Sequence, residues 1–370
     1  MRMAALSTLA VATLTTLTLL PAAPAAAVTP LVDVGWVLEN GRDHNVVVLD
    51  IRNKIDGGSQ AAYRAGHIPG AVYSNYLTDG WRTTVEGVVG QMPPVADLER
   101  LIGGLGIGND SHVVIVPGGV SSSDMGSATR IYFTFKALGH DRVSILDGGF
   151  KAYAADPANP LETGEILPRP ATFKVEVRPE LFATRDQVIS AVDRGGAALL
   201  DHRPPAQFSG RQGHPKATRA GTIPGARNLP QSRLTEGGRF VSAERVAALL
   251  EIAGVDAAGA QISFCNSGHW ASLGWFAASE ILGNKKARLY DGSMVEWSAR
   301  ADLPEIAAEA RLEFPNADGG RPGPHVVMVS TWRSRCQSAG PSLRSAVVYS
   351  DAPPTQAALS PSRSTAAPRR

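Results

Sequence analysis

Cysteine is almost missing from this 370-residue chain, with Cys265 and Cys336 the only two. Two thiols cannot build a disulfide framework, so stability must rest on apolar burial, which a hydrophobic fraction of 44% supports. Long apolar runs are missing after Leu20, so no later segment is expected to span a membrane. Net basic charge is missing from most of the chain. Eight Arg against three acidic residues from Arg311 onward put +5 in that tail, and the whole-chain +2 leaves −3 for residues 1–310. Nothing in that balance points to nucleic acid. A third metal ligand is missing near Cys265 and His269, so no metal or other cofactor is expected.

The N-terminus reads as a targeting segment. Arg2 precedes an apolar run from Ala4 to Leu20, and Ala25 and Ala27 suit the −3 and −1 positions of a cleavage site. Residues 1–27 are therefore expected to be a signal peptide, the chain to be exported to a periplasmic or extracellular space, and the mature protein to start near Val28. An uncleaved anchor is the alternative. Residues 311–370 are rich in Pro, Ser, Ala and Arg without sustained apolar periodicity, and read as a disordered basic tail with Val326–Val329 as a strand-like scrap.

The chain is organised around Ile262-Ser-Phe-Cys265-Asn-Ser-Gly-His269-Trp-Ala-Ser272. An apolar run ends in a cysteine, a short polar turn follows, and Ala271–Leu282 reads as a helix stopped by Gly283. A thiol between a strand end and a helix start faces unpaired N–H groups and the positive end of the helix dipole, which favour the thiolate. Such sites lower a cysteine pKa from about 8.5 to roughly 3.5–7.5. Cys265 is read as a nucleophile, and the alternative is a buried inert thiol.

The rest of the chain repeats itself. Val46–Arg52 ends in Asp50-x-Arg52, and Ala198–Arg203 ends in Asp201-x-Arg203. Gly66-His-Ile-Pro-Gly-Ala71 is answered by Gly221-Thr-Ile-Pro-Gly-Ala226, and Val113–Val116 by Gln261–Phe264. Helices are expected over about Ser127–Leu138 and Ala271–Leu282, each ended by Gly. Asp147-Gly-Gly149 then pairs with Asp291-Gly-Ser293. The order predicts an α/β chain of two similar domains, each a parallel sheet flanked by helices, at 40–155 and 190–302. A linker at 156–189 joins them, with Thr172–Val177 as an extended strap. Ligands of such sheets lie outside the carboxyl ends of the strands, where Cys265 sits. The first copy has Pro117 in its place and about four extra loop residues, so only the second copy can do cysteine chemistry.

Taken in order, these motifs resemble the tandem rhodaneses, the thiosulfate and 3-mercaptopyruvate sulfurtransferases, over about residues 40–300. The resemblance implies that Cys265 accepts sulfur as a persulfide, that the first domain is catalytically silent, and that the loop Cys265, Asn266, Ser267, Gly268, His269, Trp270 points backbone N–H groups at the sulfur. It implies a small anionic sulfur donor and a thiophilic acceptor such as cyanide or a thiol. A monomer without nucleic-acid partner, or membrane contact after signal removal, is expected. The sequence departs from the family in its neutral Asn266 and Ser267, in Trp270, and in Gln207, which stands where many members carry an anion-binding Arg. His269, Arg211 and Arg219, with Lys216, are the candidates to supply that charge.

Asp50, Arg52, Asp201 and Arg203 occur in both copies, which favours a structural ion pair. The Ile-Pro-Gly turns and Asp291-Gly292 also read as architecture, and Trp270 as a pocket wall. A phosphatase of this fold would need Arg six positions after the nucleophile, and Ala271 stands there. The remaining alternatives are a 3-mercaptopyruvate sulfurtransferase and a non-catalytic persulfide carrier. Either way, a small anion must be able to reach position 265.

Overall fold

The computed structural model describes residues 28–304. The expected signal peptide, the basic tail, Val326–Val329 and Cys336 lie outside the described residues. The first half runs β1 (Leu31–Val32), α1 (Val34–Asn40), β2 (Val46–Asp50), α2 (Gln60–Ala65), β3 (Val72–Tyr73), β4 (Thr83–Val85) and β5 (Val88–Gln91). It continues through α3 (Val95–Gly104), β6 (His112–Val116), α4 (Ser122–Ala137), β7 (Val143–Leu146) and α5 (Gly149–Tyr153). The second half runs α6 (Arg185–Arg194), β8 (Ala198–Asp201), α7 (Pro205–Phe208), β9 (Arg227–Asn228), β10 (Thr235–Glu236) and β11 (Arg239–Phe240). After these come α8 (Ala243–Ile252), β12 (Gln261–Phe264), α9 (His269–Phe276), β13 (Ala287–Leu289) and α10 (Ser293–Ala299).

The main sheets are parallel and share one order, β1-β7-β6-β2-β3 in the first half and β13-β12-β8-β9 in the second. Central strands buried on both faces read as continuous apolar runs, and all five residues of β6 are buried. The first sheet begins before the expected boundary at 40, because β1 pairs with β7. Two residues are too few to show a period, so the sequence could not announce that strand. In the second half, the bridge between Phe182 and Leu289 occupies the corresponding edge. Helix α6 also starts inside the expected linker, with Thr184 and Gln187 forming a capping box.

Within the expected strap the Glu176 amide donates to Leu138 O (3.0 Å) and Phe173 is buried, and just after it the Arg178 amide donates to Ala137 O (2.8 Å). The segment fastens the second half onto the end of α4. Each Asp-x-Arg pair is buried and local. Arg203 grips Asp201 at 2.6 Å and donates to Gly221 O at 2.7 Å, while Arg52 grips Asp50 and donates to Gly66 O at 2.8 Å. In both halves the arginine ties the end of a strand to the glycine that opens the Ile-Pro-Gly turn.

The halves meet along α4 and α9. Both helices are buried over most of their length, as expected of a helix that is covered on every side. Phe133 meets Trp275 edge-on at 4.8 Å, Tyr132 meets Phe276 at 4.8 Å, and Thr129 Oγ1 lies 2.9 Å from Ser272 Oγ. Helix α4 starts five residues before the expected Ser127, because Ser121 caps it by accepting the Asp124 amide.

Candidate active site

Cys265 immediately follows β12, whose last residue, Phe264, is in register with Asp201 of β8. Its amide donates to Ser293 Oγ at 3.1 Å, and the Gly268 amide donates to the same oxygen at 3.2 Å. Ser293 Oγ completes its bonding by donating to Tyr290 O at 2.8 Å. The Met294 and Val295 amides at the start of α10 hold the carbonyls of Cys265 (3.0 Å) and Asn266 (2.9 Å). The loop is thus pinned by two carbonyls and two amides. The remaining amides, of Asn266, Ser267, His269, Trp270 and Ala271, find no acceptor among the described residues. This corrects the expectation that the whole loop turns its N–H groups to the sulfur: those of Cys265 and Gly268 are already bound.

Ser293 was not singled out from the sequence, although a signal was there. Asp147-Gly-Gly149 in the first copy becomes Asp291-Gly-Ser293 in the second, and both third residues have positive φ, +57° for Gly149 and 49° for Ser293. A serine in that conformation is strained where glycine is not. It occurs in the copy that carries the thiol, and its hydroxyl is what holds the thiol's loop.

The first copy shows what such a loop can hold. The amides of Gly118, Gly119 and Val120, after β6, converge on the Asp124 carboxylate at 3.0, 2.5 and 3.0 Å. Asp124 is fully buried, and burial raises its pKa to about 6 despite the three donors. The first copy therefore fills its amide cradle with a carboxylate of its own. The second copy has no such carboxylate. Its loop leaves amides without an acceptor, next to a cysteine.

First-domain side chains close the site. Arg130 of α4 makes a two-pronged ion pair with Asp291 (2.5 and 2.9 Å), and Asp291 also accepts the Met92 amide at 2.9 Å. A Cβ on Gly268, at φ +77°, would stand 2.3 Å from the Arg130 guanidinium, so only glycine lets the loop lie against this pair. Arg82 donates to Ser267 O at 2.7 Å and to Ser267 Oγ at 2.9 Å. Arg130 and Tyr76 both lie within electrostatic reach of Cys265. The thiol is 1% exposed. It packs within the apolar core, in the same cluster as Tyr76.

The sequence-predicted residues divide sharply. Asn266 bonds through Nδ2 to Gln207 Oε1 at 2.8 Å, so the residue standing in the arginine position supports the loop. Trp270 Nε1 donates to Ser123 Oγ at 3.0 Å, across the domain boundary. His269 is corrected as a source of positive charge. Its Nε2–H donates to Ser123 O at 2.8 Å and its Nδ1 accepts the Tyr76 hydroxyl at 2.8 Å, which is the bonding of a neutral ring. Burial, followed by the charge of Arg82, lowers its pKa to about 3. Arg219 is corrected too. Arg211 is exposed and bonds Ser209 Oγ at 3.1 Å, while Arg219 donates to Ser298 O at 3.0 Å, Leu303 O at 2.9 Å and Arg300 O at 2.7 Å around the end of α10.

The neutral His269 gives a pH prediction. A folded pKa below the unfolded value of about 6.5 means that its stabilising contribution is complete above that pH and fades as pH falls toward about 3. Between pH 5 and 8 the native ring keeps one state. The pH profile for modification of Cys265 in His269→Asn should therefore keep the wild-type shape at a lower rate. A limb near pH 6.5 in the wild type that vanishes in the variant would show that the ring titrates.

The rhodanese-like domain model matches residues 33–156 and 184–300. The thiosulfate sulfurtransferase of Rattus norvegicus is 32% identical over 282 residues, covering 73% of this chain and 92% of its own length. The sulfur carrier protein TtuD of Thermus thermophilus is 31% identical over 290 residues, covering 75% and 97%. Among solved structures, the 3-mercaptopyruvate sulfotransferase SseA of Escherichia coli superposes with a TM-score of 0.62 at 26% identity, covering 72% of this chain and 98% of SseA.

Proposed function

This chain belongs to the rhodanese-like family, with two copies of the domain in one polypeptide, and from that premise we propose that it is a sulfurtransferase working through a Cys265 persulfide. One observation carries the mechanism: Cys265, the only cysteine among the described residues, opens a loop in which the free amides of Asn266 and Ser267 stand in the positions of Gly118 and Gly119, two of the three that hold a carboxylate in the first copy. Those donors stabilise negative charge on sulfur before and after transfer, without a metal.

The donor that the reading favours is thiosulfate, as in the name of the rat relative. The Cys265 thiolate attacks the outer sulfur, the S–S bond of thiosulfate breaks, and sulfite leaves with the bonding pair. The enzyme is left as Cys–S–S⁻. Cyanide or a thiolate then takes the terminal sulfur and restores the thiolate. These are two displacements joined by a covalent intermediate. Arg82 and Arg130 add positive potential on the first-domain side. Asn266, held by Gln207, and Gly268, held by Ser293, keep the loop in shape. Ala271 at the sixth position after the cysteine denies the site a phosphate clamp. The N-terminal sequence further supports a place of action outside the cytoplasm.

Two other readings have specific support. The likeness to SseA favours 3-mercaptopyruvate as donor, and the likeness to TtuD favours a carrier that hands sulfur to a partner. Residues 28–304 incubated with thiosulfate should gain 32 Da (about one sulfur) on Cys265 and turn over repeatedly with cyanide. A single stoichiometric transfer without turnover would identify a carrier, and faster loading by 3-mercaptopyruvate would reassign the donor.

A further inference from the structure

A thiol that is 1% exposed needs an approach for its substrate. A cavity of ≈ 300 Å³ lies against the active-site loop, with Ser267 in its wall, Tyr76 and Arg82 contributed by the first domain, and His214 and Lys216 by the segment after α7. No carboxylate lines it. Arg82 spends Nε on Gly90 O (3.2 Å) and Nη2 on Ser267, and its side chain also reaches the Tyr76 hydroxyl. Lys216 pairs with no carboxylate among the described residues. Burial and the nearby charges of Arg203 and Lys216 hold His214 below its usual pKa, a further sign of positive potential. The hairpin β4–β5 comes this close because position 90 is glycine: a Cβ there would stand 2.1 Å from Arg82 Nη2 and 2.9 Å from Ser267 O.

We propose that this cavity is the entry site for the small oxyanion donor, gripped at its oxygen end by Arg82 and Lys216, and that Arg82 acts as its gate. In the structure Arg82 clasps Ser267 and closes the loop. An arriving sulfonate-like group offers the same guanidinium two charged acceptors, which are stronger partners than a carbonyl and a hydroxyl. The exchange releases Ser267 and opens the way to Cys265. The first domain, which has no thiol of its own, thereby contributes a substrate-binding residue. This inference rests on the sulfurtransferase reading and adds the cations that Gln207 does not supply.

The test compares two alkylating reagents of similar size and the same leaving group, anionic iodoacetate and neutral iodoacetamide, on Cys265 in a Cys336→Ser background, read by intact mass. Lys216 is exposed, so Lys216→Gln leaves the fold intact. It should slow iodoacetate about five- to tenfold and leave iodoacetamide unchanged. Arg82→Gln should speed iodoacetamide, because Ser267 loses its clasp, while the ratio of iodoacetate to iodoacetamide rates falls. Arg82→Lys should restore part of that ratio. The KM for thiosulfate should rise in both Gln variants. An unchanged reagent ratio in Lys216→Gln overturns the entry site, and an unchanged iodoacetamide rate in Arg82→Gln overturns the gate. Either result leaves the sulfurtransferase reading standing. That reading fails separately if the wild type is alkylated at Cys265 yet forms no persulfide from thiosulfate.

Discussion

Cys265→Ser should abolish sulfur transfer, with a loss of roughly 10⁴-fold or more in turnover, the scale seen when a covalent nucleophile is removed. The reason lies in the chemistry of sulfur. A serine hydroxyl at this position remains protonated near neutral pH, and the O–S product it would form is no counterpart of a persulfide. The substitution removes little else. Position 265 uses its amide on Ser293 Oγ and its carbonyl on the Met294 amide, and both bonds are made by the main chain. The variant should therefore keep wild-type stability in urea and the same fold by circular dichroism. Cys336→Ser should retain full activity. Appreciable thiosulfate turnover by the Cys265 variant would remove the basis of the mechanism.

The second large effect is expected at the ion pair between the domains. Arg130 is fully buried and Asp291 nearly so, and they are joined by two bonds of 2.5 and 2.9 Å. Removing one partner strands a charge, which costs about 3–5 kcal/mol for a buried pair. Against a domain stability of about 5–15 kcal/mol, that is a large fraction. Arg130→Met and Asp291→Asn should each shift the urea midpoint strongly. The double variant should be less destabilised than the two single losses combined, because it leaves no orphaned charge. Activity should fall further than stability alone explains. Asp291 also accepts the Met92 amide, and its carbonyl accepts Gln91 Nε2 at 3.0 Å, so the β4–β5 hairpin that carries the Gly90 contact to Arg82 rests on it. If both single variants unfold at the wild-type midpoint, the pair is not the clasp between the halves.

Much of the fold was legible in residue order. Apolar strands ending in Asp-x-Arg, the paired Ile-Pro-Gly turns and glycines after helices are short-range signals, and each leaves its mark within ten residues. The elements that stayed hidden were those held by distant partners. The strand Leu31–Val32 exists because Ile145 and Leu146 are beside it. The neutral state of His269 depends on Ser123 and Tyr76, about 150 and 190 positions away in sequence, and no local pattern reports it. Arg219 looked like a free cation because the carbonyls that it holds belong to the end of α10.

The sequence by itself determined the duplication, the parallel α/β architecture and the placing of a lone thiol at the end of a strand, since these follow from periodicity and from which residue occupies one turn. Only the tertiary structure decided how that thiol is served. It matched a carboxylate-filled amide cradle in one copy with an unfilled one in the other. It also laid Arg82 and Arg130 of the first domain on the loop of the second. Burial and electrostatics act through space between groups far apart in the chain, and folding brings such groups together.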